Sequence, residues 1–195
     1  MDTAVVLGNG PSRLKFDLSK ITYWAKTFGC NAIYRDYMPD YLIAMDWNMV
    51  EEIVHSGFHN YTQFYTQHEN RADEWAKTEP IHFVANEPDT LDSGNSAIKL
   101  AIQKGHRVIY LVGFDYVSGE EHNNIYAGTK NYNVDAFYHH NIEIALNWQK
   151  SLRRIVQQNP DVTFIRVNAR HDKFDIHDHN FTSISTEEFK RRYDE

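Results

Sequence analysis

Short apolar segments alternate along the chain with stretches of helical spacing, and this alternation constrains the fold more than any other feature. The segment RVIYLV at residues 107–112 is a near-continuous apolar run, as expected for a strand covered on both faces. Alternation of this kind is typical of a mostly parallel sheet with helices on both faces. The pattern therefore predicts an α/β, Rossmann-like fold, with strands at residues 4–7, 26–30, 41–45, 63–66, 81–84, 107–112 and 162–167, and helices at residues 47–55, 93–104, 136–158 and 185–192.

The composition fits one domain spanning residues 1–195, because a chain of 195 residues that is 42% hydrophobic can bury a sizeable core. A net charge of −7 argues against nucleic acid as a partner, since phosphate binding needs clustered Lys and Arg. Cys30 is the single cysteine, so no intrachain disulfide framework is expected. The sequence shows neither a signal-peptide pattern nor an apolar run of about 18 residues, which predicts a cytoplasmic protein without a transmembrane segment.

The first predicted strand runs directly into GNGPS at residues 8–12, a sequence that breaks regular structure. Ligands of parallel α/β sheets bind beyond the carboxyl ends of the strands, where this loop lies. Gly8 and Gly10 are expected to allow positive φ and a close approach of backbone to a ligand. Asn9 offers an amide between them, and Ser12 begins a turn whose N–H groups favour an anion. The loop matches neither the dinucleotide GxGxxG pattern nor a P-loop, and a simple tight turn is the alternative.

Polar residues also follow the second and third predicted strands. Asn31 and Asp46 stand at consecutive strand ends, where they are suited to the polar edge of a base or a ribose. Asp46 is equally suited to cap the helix at residues 47–55, and the two roles are compatible. Ser93 is predicted to be the N-cap of the helix at residues 93–104. With Gly94 it makes a small-residue helix start, which indicates a second anion site at the same sheet edge.

The strongest predicted strand is followed by Asp115 and Tyr116 and then by a polar stretch without periodicity. Long unstructured stretches inside a compact domain are usually lids or binding loops. We therefore predict a short lid loop at about residues 116–138, followed by His139 and His140 at the start of the long helix.

Taken together, these pieces resemble the bacterial sialyltransferases of the Campylobacter lipooligosaccharide type and a wider group of related phage and bacterial proteins. The resemblance covers about two-thirds of the chain. It implies a glycosyltransferase-A-like variant of the nucleotide-binding α/β fold with a small lid, a CMP-activated sugar as donor, a glycan acceptor, and no required metal. It rests on VVLGNGPS at residues 5–12, CN at 30–31, AMDWN at 44–48, SGNSAIKLAIQKGHRVIYLVGFDY at 93–116 and a histidine near 140.

The same resemblance assigns roles to individual residues. It implies that Asn9, Asn31 and the Ser93–Gly94 helix start bind the nucleotide. Tyr126 is the best counterpart of a lid tyrosine that binds the donor phosphate, and His140, or its neighbour His139, is the best counterpart of the general base. Sugar transfer with inversion needs such a base to take the acceptor proton, and histidine is suited to that task near neutral pH.

The chain departs from the family pattern at several positions. Asp46 stands where the family usually has Asn, and Asp92 stands where it has Thr. The lid is shorter, and its first tyrosine has no clear match unless Tyr116 or Tyr132 replaces it. These departures favour the alternative of a non-catalytic nucleotide or sugar-phosphate binding protein.

A second alternative is a metal-dependent enzyme like the pterin diphosphokinases of the wider group, using Asp46, Asp92 and Asp115. A separate cluster near the C-terminus could bind a divalent metal, although its spacing matches no closed zinc pattern. The cluster consists of His171, Asp172, Asp175, His177, Asp178 and His179.

The sequence is also compatible with a homo-oligomer.

Overall fold

A computed structural model describes residues 2–85, 92–116, 124–133, 142–168 and 176–194. Its centre is one eight-stranded sheet in the order β5-β4-β3-β2-β1-β6-β7-β8, and every neighbouring pair is parallel. This architecture confirms the predicted α/β, Rossmann-like fold. The strands are β1 (Thr3–Leu7), β2 (Lys26–Cys30), β3 (Tyr41–Ile43), β4 (Gln63–Thr66), β5 (Ile81–Phe83), β6 (Val108–Val112), β7 (Thr163–Asn168) and β8 (Phe181–Ser185).

Helices connect most of these strands, and the described ones are α1 (Leu18–Trp24), α2 (Trp47–His55), α3 (Asn70–Trp75), α4 (Ser93–Gln103), α5 (Ile142–Gln158) and α6 (Thr186–Asp194). Short 3-10 helices follow β1 and β2 at Pro11–Lys15 and Asn31–Arg35, and a third spans Phe58–Asn60. No helix within the described ranges is long and apolar enough to cross a membrane.

The sheet is buried on both faces because side chains alternate along each strand. In β1, Ala4 and Val6 pack into one apolar cluster with α4 and α5, whereas Val5 and Leu7 pack into the other. The second cluster includes Ile21 of α1 and Phe189 of α6. Both faces of β1 are therefore buried, which explains why its sequence is a continuous apolar run.

The order of strands reverses at β1, and this reversal positions the functional site. From β1 the chain moves outward through β2 to β5 on one side, and it then returns to β6 on the other side of β1. Leu7 pairs with Gly29 of β2 and with Val112 of β6, so the carboxyl ends of all three strands are level. A crevice opens where connections leave in opposite directions, and such switch points are where ligands bind in these folds.

Most predicted elements match the structure within one or two residues, but the N-cap of α4 was predicted wrongly. Asp92, not Ser93, is the N-cap, and its carboxylate accepts a hydrogen bond of 2.8 Å from the backbone N–H of Asn95. Gly105 adopts φ of 91° just after α4, as a helix-terminating glycine should. Residues 136–141 of the predicted long helix lie outside the described residues.

The structure also contains elements that the sequence analysis did not predict. The strand β8 is one, because its sequence FTSIS is polar and much of it is exposed at the edge of the sheet. The helices α1 and α3 are others, being only 7 and 6 residues long. Ser185, which ends β8, accepts a hydrogen bond of 3.0 Å from the N–H of Glu188 and so caps the last helix.

Candidate functional site

A cleft of about 480 Å³ lies at the switch point, beyond the carboxyl ends of β1, β2, β3 and β6. Most of the residues predicted to bind a ligand come together there. The cleft is lined by Gly8, Asn9, Gly10, Cys30, Asn31, Met45, Asp46, Asn48, Met49, Asp92, Ser93, Gly94, Gly113, Phe114, Asp115, Tyr116, Asn124, Asn131, Tyr132, Ile144 and Trp148.

The two glycines of the first loop allow a close approach between two loops, and the prediction of positive φ is wrong for both. Gly8 and Gly10 do not take positive φ; the left-handed residue is Gly113 after β6, with φ of 76°. A Cβ atom added to Gly8 would lie 2.5 Å from the carbonyl oxygen of Gly113. The N–H of Gly10 donates to that same oxygen at 2.9 Å. The glycines therefore allow the loops after β1 and β6 to touch each other, and this contact forms part of the cleft lining.

Ser12 does not line the cleft, and the turn that it begins is already occupied by a carboxylate. The backbone N–H of Ser12 donates to Oδ2 of Asp115 at 2.7 Å. The Ser12 hydroxyl is buried, and it has no hydrogen-bond partner in the described part of the chain. Asp115 thus fills the position where the sequence predicted an external anion, and it ties the loop after β6 to the turn after β1.

The side chain of Asn9 is held on both sides by the protein. Its Nδ2 donates to the carbonyl oxygen of Cys30 at 3.0 Å, and its Oδ1 accepts from Nη1 of Arg13 at 3.0 Å. Arg13 is only 2% exposed, and it also donates to the carbonyl oxygen of Gly8 at 3.4 Å. A buried arginine therefore sets the orientation of the Asn9 amide at the edge of the cleft.

Arg13 also reaches Tyr126, the predicted lid tyrosine. Nη2 of Arg13 donates to the Tyr126 hydroxyl at 2.8 Å, and that hydroxyl donates to Oδ1 of Asp36 at 2.5 Å. Burial is the main reason that the pKa of Tyr126 is raised above its ordinary value. Tyr126 is 7% exposed and does not line the cleft. The structure thus places its hydroxyl in a buried network rather than at the ligand surface.

Residues 124–133, the described part of the predicted lid, form a wall of the cleft that is pinned to the rest of the molecule. The N–H of Ile125 donates to the carbonyl oxygen of Asn9 at 2.8 Å. Arg35 donates to Oγ1 of Thr129 at 2.7 Å and to the carbonyl oxygen of Lys130 at 2.8 Å. Asn131 donates to Glu52 of α2 at 2.7 Å. The 124–133 wall contributes Asn124, Asn131 and Tyr132 to the cleft lining.

The ends of β2 and β3 are joined to the start of α4 by a chain of hydrogen bonds. The Ser93 hydroxyl accepts from the N–H of Met45 at 3.1 Å and donates to Oδ1 of Asn31 at 2.8 Å. Asn31 takes a left-handed conformation with φ of 51°, and its Nδ2 lies 3.4 Å from Oδ2 of Asp46. Three predicted binding residues are therefore neighbours in one network.

Two aspartates stand at helix starts on the cleft, and they use their carboxylates differently. Asp92 caps α4, and its second oxygen accepts from Nδ2 of Asn95 at 2.6 Å. Burial raises the pKa of Asp92 to about 6, with a further contribution from the negative charge of Asp46. Asp46 occupies the N-cap position of α2 but makes no capping bond with its side chain. Its pKa is also raised, because the surrounding protein partly desolvates it, although the side chain keeps contact with solvent.

Aromatic rings also line the cleft, and the sequence analysis missed most of the residues that hold them in place. Phe114 and Tyr116 pack together with ring centroids 6.0 Å apart. Behind them lies Arg166 of β7, 1% exposed, whose Nη2 donates to the carbonyl oxygen of Phe114 at 3.1 Å. Trp148 of α5 is joined to α4 through its carbonyl oxygen, which accepts from Asn95 at 3.2 Å. These faces are suited to stacking against a planar ring.

Several predicted residues lie outside the described residues, namely His139, His140, His171, Asp172 and Asp175. Of the C-terminal cluster, Asp178 forms a long ion pair of 3.9 Å with Arg153. Within the described ranges, no three His, Cys, Asp or Glu side chains are grouped in a way that could hold a metal ion.

The parallel sheet with its cleft at the switch point is a Rossmann-like α/β fold, and a solved structure shares this fold. The chain is similar to the X-ray structure of a mutant form of the α-2,3/8-sialyltransferase CstII, with a TM-score of 0.51. The match covers 84% of this chain and 80% of that chain at 15% sequence identity, so it shows a common fold. No protein-family model and no curated protein matches the sequence.

Proposed function

We propose that the protein binds a nucleotide-activated sugar in the switch-point cleft and transfers the sugar to an acceptor hydroxyl without a required metal. The observation that carries this proposal is the convergence of the predicted residues on one cleft. Nine of them line it, although they come from the ends of four strands and the start of α4: Gly8, Asn9, Gly10, Asn31, Asp46, Ser93, Gly94, Asp115 and Tyr116. A CMP-activated sugar is the first donor to test, because of the resemblance to sialyltransferases.

The described lining supports binding of the nucleoside half. Five asparagines face the cleft, and side-chain amides can both donate and accept hydrogen bonds with a base or a ribose. Phe114, Tyr116, Tyr132 and Trp148 supply ring surface for a base. A site with both kinds of group can select a nucleoside without a cationic side chain.

The proposed reaction needs a base and a departing phosphate. His140 or His139 takes the proton from the acceptor hydroxyl, and the oxygen attacks the anomeric carbon of the donor sugar. The bond from that carbon to the phosphate oxygen breaks, and the nucleotide leaves with the electron pair. The new glycosidic bond, the protonated imidazole and the free nucleotide together balance the atoms and charges.

Binding without catalysis is the second candidate, and Tyr126 is the observation that favours it. Its hydroxyl is already engaged by Arg13 and Asp36, so this tyrosine has no free group for a donor phosphate in the described conformation. If the protein only binds, nucleotide affinity will be retained while donor turnover is absent.

Calorimetric titration with CMP, UMP, GMP and ATP, each with and without Mg²⁺, tests the proposal. We expect metal-independent binding of one nucleotide, weakened at least about threefold in Asn48→Ala, because Asn48 lines the cleft with an exposed side chain. Asn60→Ala is the matched control, since Asn60 is exposed and does not line the cleft. Absence of any nucleotide binding would overturn the proposal, and Mg²⁺-dependent ATP binding would favour the diphosphokinase-like alternative.

Transfer is tested separately by following donor turnover in the presence of glycan acceptors. His140→Ala and His139→Ala are expected to bind the nucleotide as the wild type does. Only the variant that lacks the base should lose turnover, by about 10²- to 10⁴-fold. Turnover in neither the wild type nor the variants, with binding intact, would identify the protein as a binding module.

A further inference from the structure

Two asparagines follow neighbouring strands of the sheet and lie side by side in the cleft. Asn9 follows β1, Asn31 follows β2, and both line the cleft. They are adjacent, because Nδ2 of Asn9 donates at 3.0 Å to the carbonyl oxygen of Cys30, the residue before Asn31. A side-chain amide donates at its nitrogen end and accepts at its oxygen end, so its orientation decides which ligand groups it can bind.

The amide of Asn9 is fixed at both ends by groups that have only one hydrogen-bonding role. Arginine only donates, so the Asn9 atom that lies 3.0 Å from Nη1 of Arg13 is the oxygen. A carbonyl oxygen only accepts, so the Asn9 atom that lies 3.0 Å from the oxygen of Cys30 is the nitrogen. Turning the amide over would place two donors together at Arg13 and two acceptors together at Cys30.

The amide of Asn31 is oriented by a serine hydroxyl. The oxygen of Ser93 accepts from the N–H of Met45 at 3.1 Å, and its only proton is donated to Oδ1 of Asn31 at 2.8 Å. Ser93 is buried, whereas the nitrogen end of Asn31 is turned toward Asp46, which is exposed. Because Asp92 caps α4, the Ser93 hydroxyl is not needed to start that helix.

From these contacts we infer that Arg13 and Ser93 are positioning residues, which turn the amides of Asn9 and Asn31 so that their N–H groups meet an acceptor oxygen of the ligand. The inference rests on the proposed function and deepens it. Each Nδ2 carries two hydrogens, and the described contacts use one of them. The remaining N–H groups suit a phosphate oxygen or a carbonyl oxygen of a base. Ser93 then acts through Asn31, which differs from the direct nucleotide contact that the resemblance implies for it.

A double-mutant cycle separates positioning from direct contact. The probe is whichever of CMP, UMP, GMP and ATP binds the wild type most tightly, and calorimetry measures its dissociation constant. Ser93→Ala should weaken binding about threefold to tenfold, as expected for the loss of one hydrogen bond. In an Asn31→Gly background the same change should alter affinity by less than about twofold, because no amide remains to be positioned. Glycine is chosen because Asn31 has φ of 51°, which glycine adopts without strain.

Ser96→Ala is the matched control for Ser93→Ala. Ser96 is also a buried serine of α4, but it does not belong to the cleft lining. Its removal should alter affinity by less than about twofold in both backgrounds. If Ser93→Ala weakens binding equally in both backgrounds, Ser93 contacts the ligand directly and the inference is overturned. An unchanged affinity of Ser93→Ala in the wild-type background overturns it as well.

Arg13→Lys applies the same test to Asn9. Lysine keeps the positive charge but lacks the planar fork, whose two terminal nitrogens reach Asn9 and Asp36 together. The change should weaken binding at least about threefold in the wild type and less than about twofold in an Asn9→Ala background. Equal losses in the two backgrounds would overturn the role of Arg13. Urea unfolding checks that each variant is folded, and if Arg13→Lys is not, the Ser93 cycle decides the inference.

Nuclear magnetic resonance tests the orientation of the amides directly. The side-chain N–H signals of Asn9 and Asn31 are assigned from their absence in Asn9→Ala and Asn31→Gly. When the probe nucleotide binds, one N–H proton of each should move downfield, whereas the signals of Asn60, which is exposed outside the cleft lining, should stay in place. The matching nucleoside and inorganic phosphate, added separately, distinguish a base or ribose oxygen from a phosphate oxygen as the acceptor.

Failure of the inference is distinct from failure of the proposed function. If a nucleotide binds while the N–H signals of Asn9 and Asn31 stay in place, the inference is overturned and the proposed function stands. The same holds if a nucleotide binds and the losses in the Ser93 cycle are additive. If none of the four nucleotides binds, the proposed function is overturned and the inference with it.

Discussion

The two sides of the cleft differ in what their polar groups are used for. On the braced side, formed by the loops after β1 and β6 and the start of α4, Asp115 and Asp92 each accept a short hydrogen bond from a backbone N–H. On the open side, at the end of β3 and the start of α2, Asp46 makes one long bond to Asn31 and no capping bond. Aspartates therefore support the fold on one side of the cleft, whereas on the other side an aspartate faces the open cleft.

The position of an acid in the sequence therefore does not decide its role. Asp46 and Asp92 both precede a helix, yet only Asp92 caps its helix. The two aspartates differ in the number of hydrogen bonds that they accept. A mutation on the braced side should therefore change stability, whereas a mutation on the open side should change binding.

Among the changes on the braced side, Gly113→Ala should lower the free energy of unfolding most. The added Cβ would lie 2.6 Å from the carbonyl oxygen of Gly8, and φ at Gly113 is 76°. We expect a loss of about 3–5 kcal/mol in the free energy of unfolding, combining backbone strain with overpacking. Urea titration followed by circular dichroism measures it.

Gly57→Ala is the matched control for that variant. Gly57 has nearly the same φ of 75°, but nothing lies within 4 Å of its added Cβ. It should lose only about 1 kcal/mol, the cost of the left-handed conformation alone. Equal losses in the two variants would show that the contact between the loops contributes nothing to stability. The distinction between a braced and an open side would then be wrong.

Asp92→Asn should alter how stability depends on pH. Burial raises the pKa of Asp92 from an ordinary 3.8 to about 6, so the folded protein holds this proton more tightly than the unfolded chain. The contribution of Asp92 therefore makes stability fall as pH rises from about 4 to about 6, by up to about 3 kcal/mol. Asp92→Asn removes this slope, which denaturation at a series of pH values measures.

Asp17→Asn provides a control of opposite sign. Asp17 caps α1 at the surface, and its pKa is lowered, chiefly by the hydrogen bond from the Ser19 hydroxyl. Its contribution to stability is present above the unfolded pKa and is lost as pH falls through the folded value. If the Asp92→Asn difference curve has the same sign as that of Asp17→Asn, Asp92 is not desolvated as described.

Tyr126→Phe should weaken the link between the braced side and the 124–133 wall. It removes the hydroxyl that accepts from Arg13 at 2.8 Å and leaves that buried guanidinium one partner short. We expect a loss of about 1–2 kcal/mol in unfolding free energy. Tyr61→Phe, at a side chain that is 74% exposed, should lose almost nothing. No difference between the two would mean that the Tyr126 hydroxyl is not part of the network.

Local sequence signals predicted much of this fold and the place of the site. The run VVL at the end of β1 and the following GNGPS loop identify a buried strand and its carboxyl end from adjacent residues. Because parallel strands end at the same sheet edge, Asn31, Asp46 and Ser93 could be assigned to one site without knowledge of their contacts.

The parts that sequence reasoning missed depend on contacts between distant residues. Arg13 and Tyr126 are 113 positions apart, and no local pattern marks either as half of a buried pair. The close contact between Gly8 and Gly113 was missed for the same reason, since Gly113 belongs to another loop. The cap of α4 was assigned to Ser93 instead of Asp92 because adjacent Asp and Ser are equally good N-caps by residue type.

Asp46→Ala should have the smallest effect on stability, and its comparison with Asp115→Ala sharpens the distinction most. Removing Asp115 leaves the Ser12 N–H without its 2.7 Å acceptor, which should cost about 1–2 kcal/mol in unfolding free energy. Removing Asp46 loses one long bond and relieves a desolvated charge, so the change should stay within about 0.5 kcal/mol. Thermal and urea unfolding of both variants measure the contrast. A loss at Asp46 as large as that at Asp115 would make it a structural acid, and the open side would then have no carboxylate reserved for a ligand.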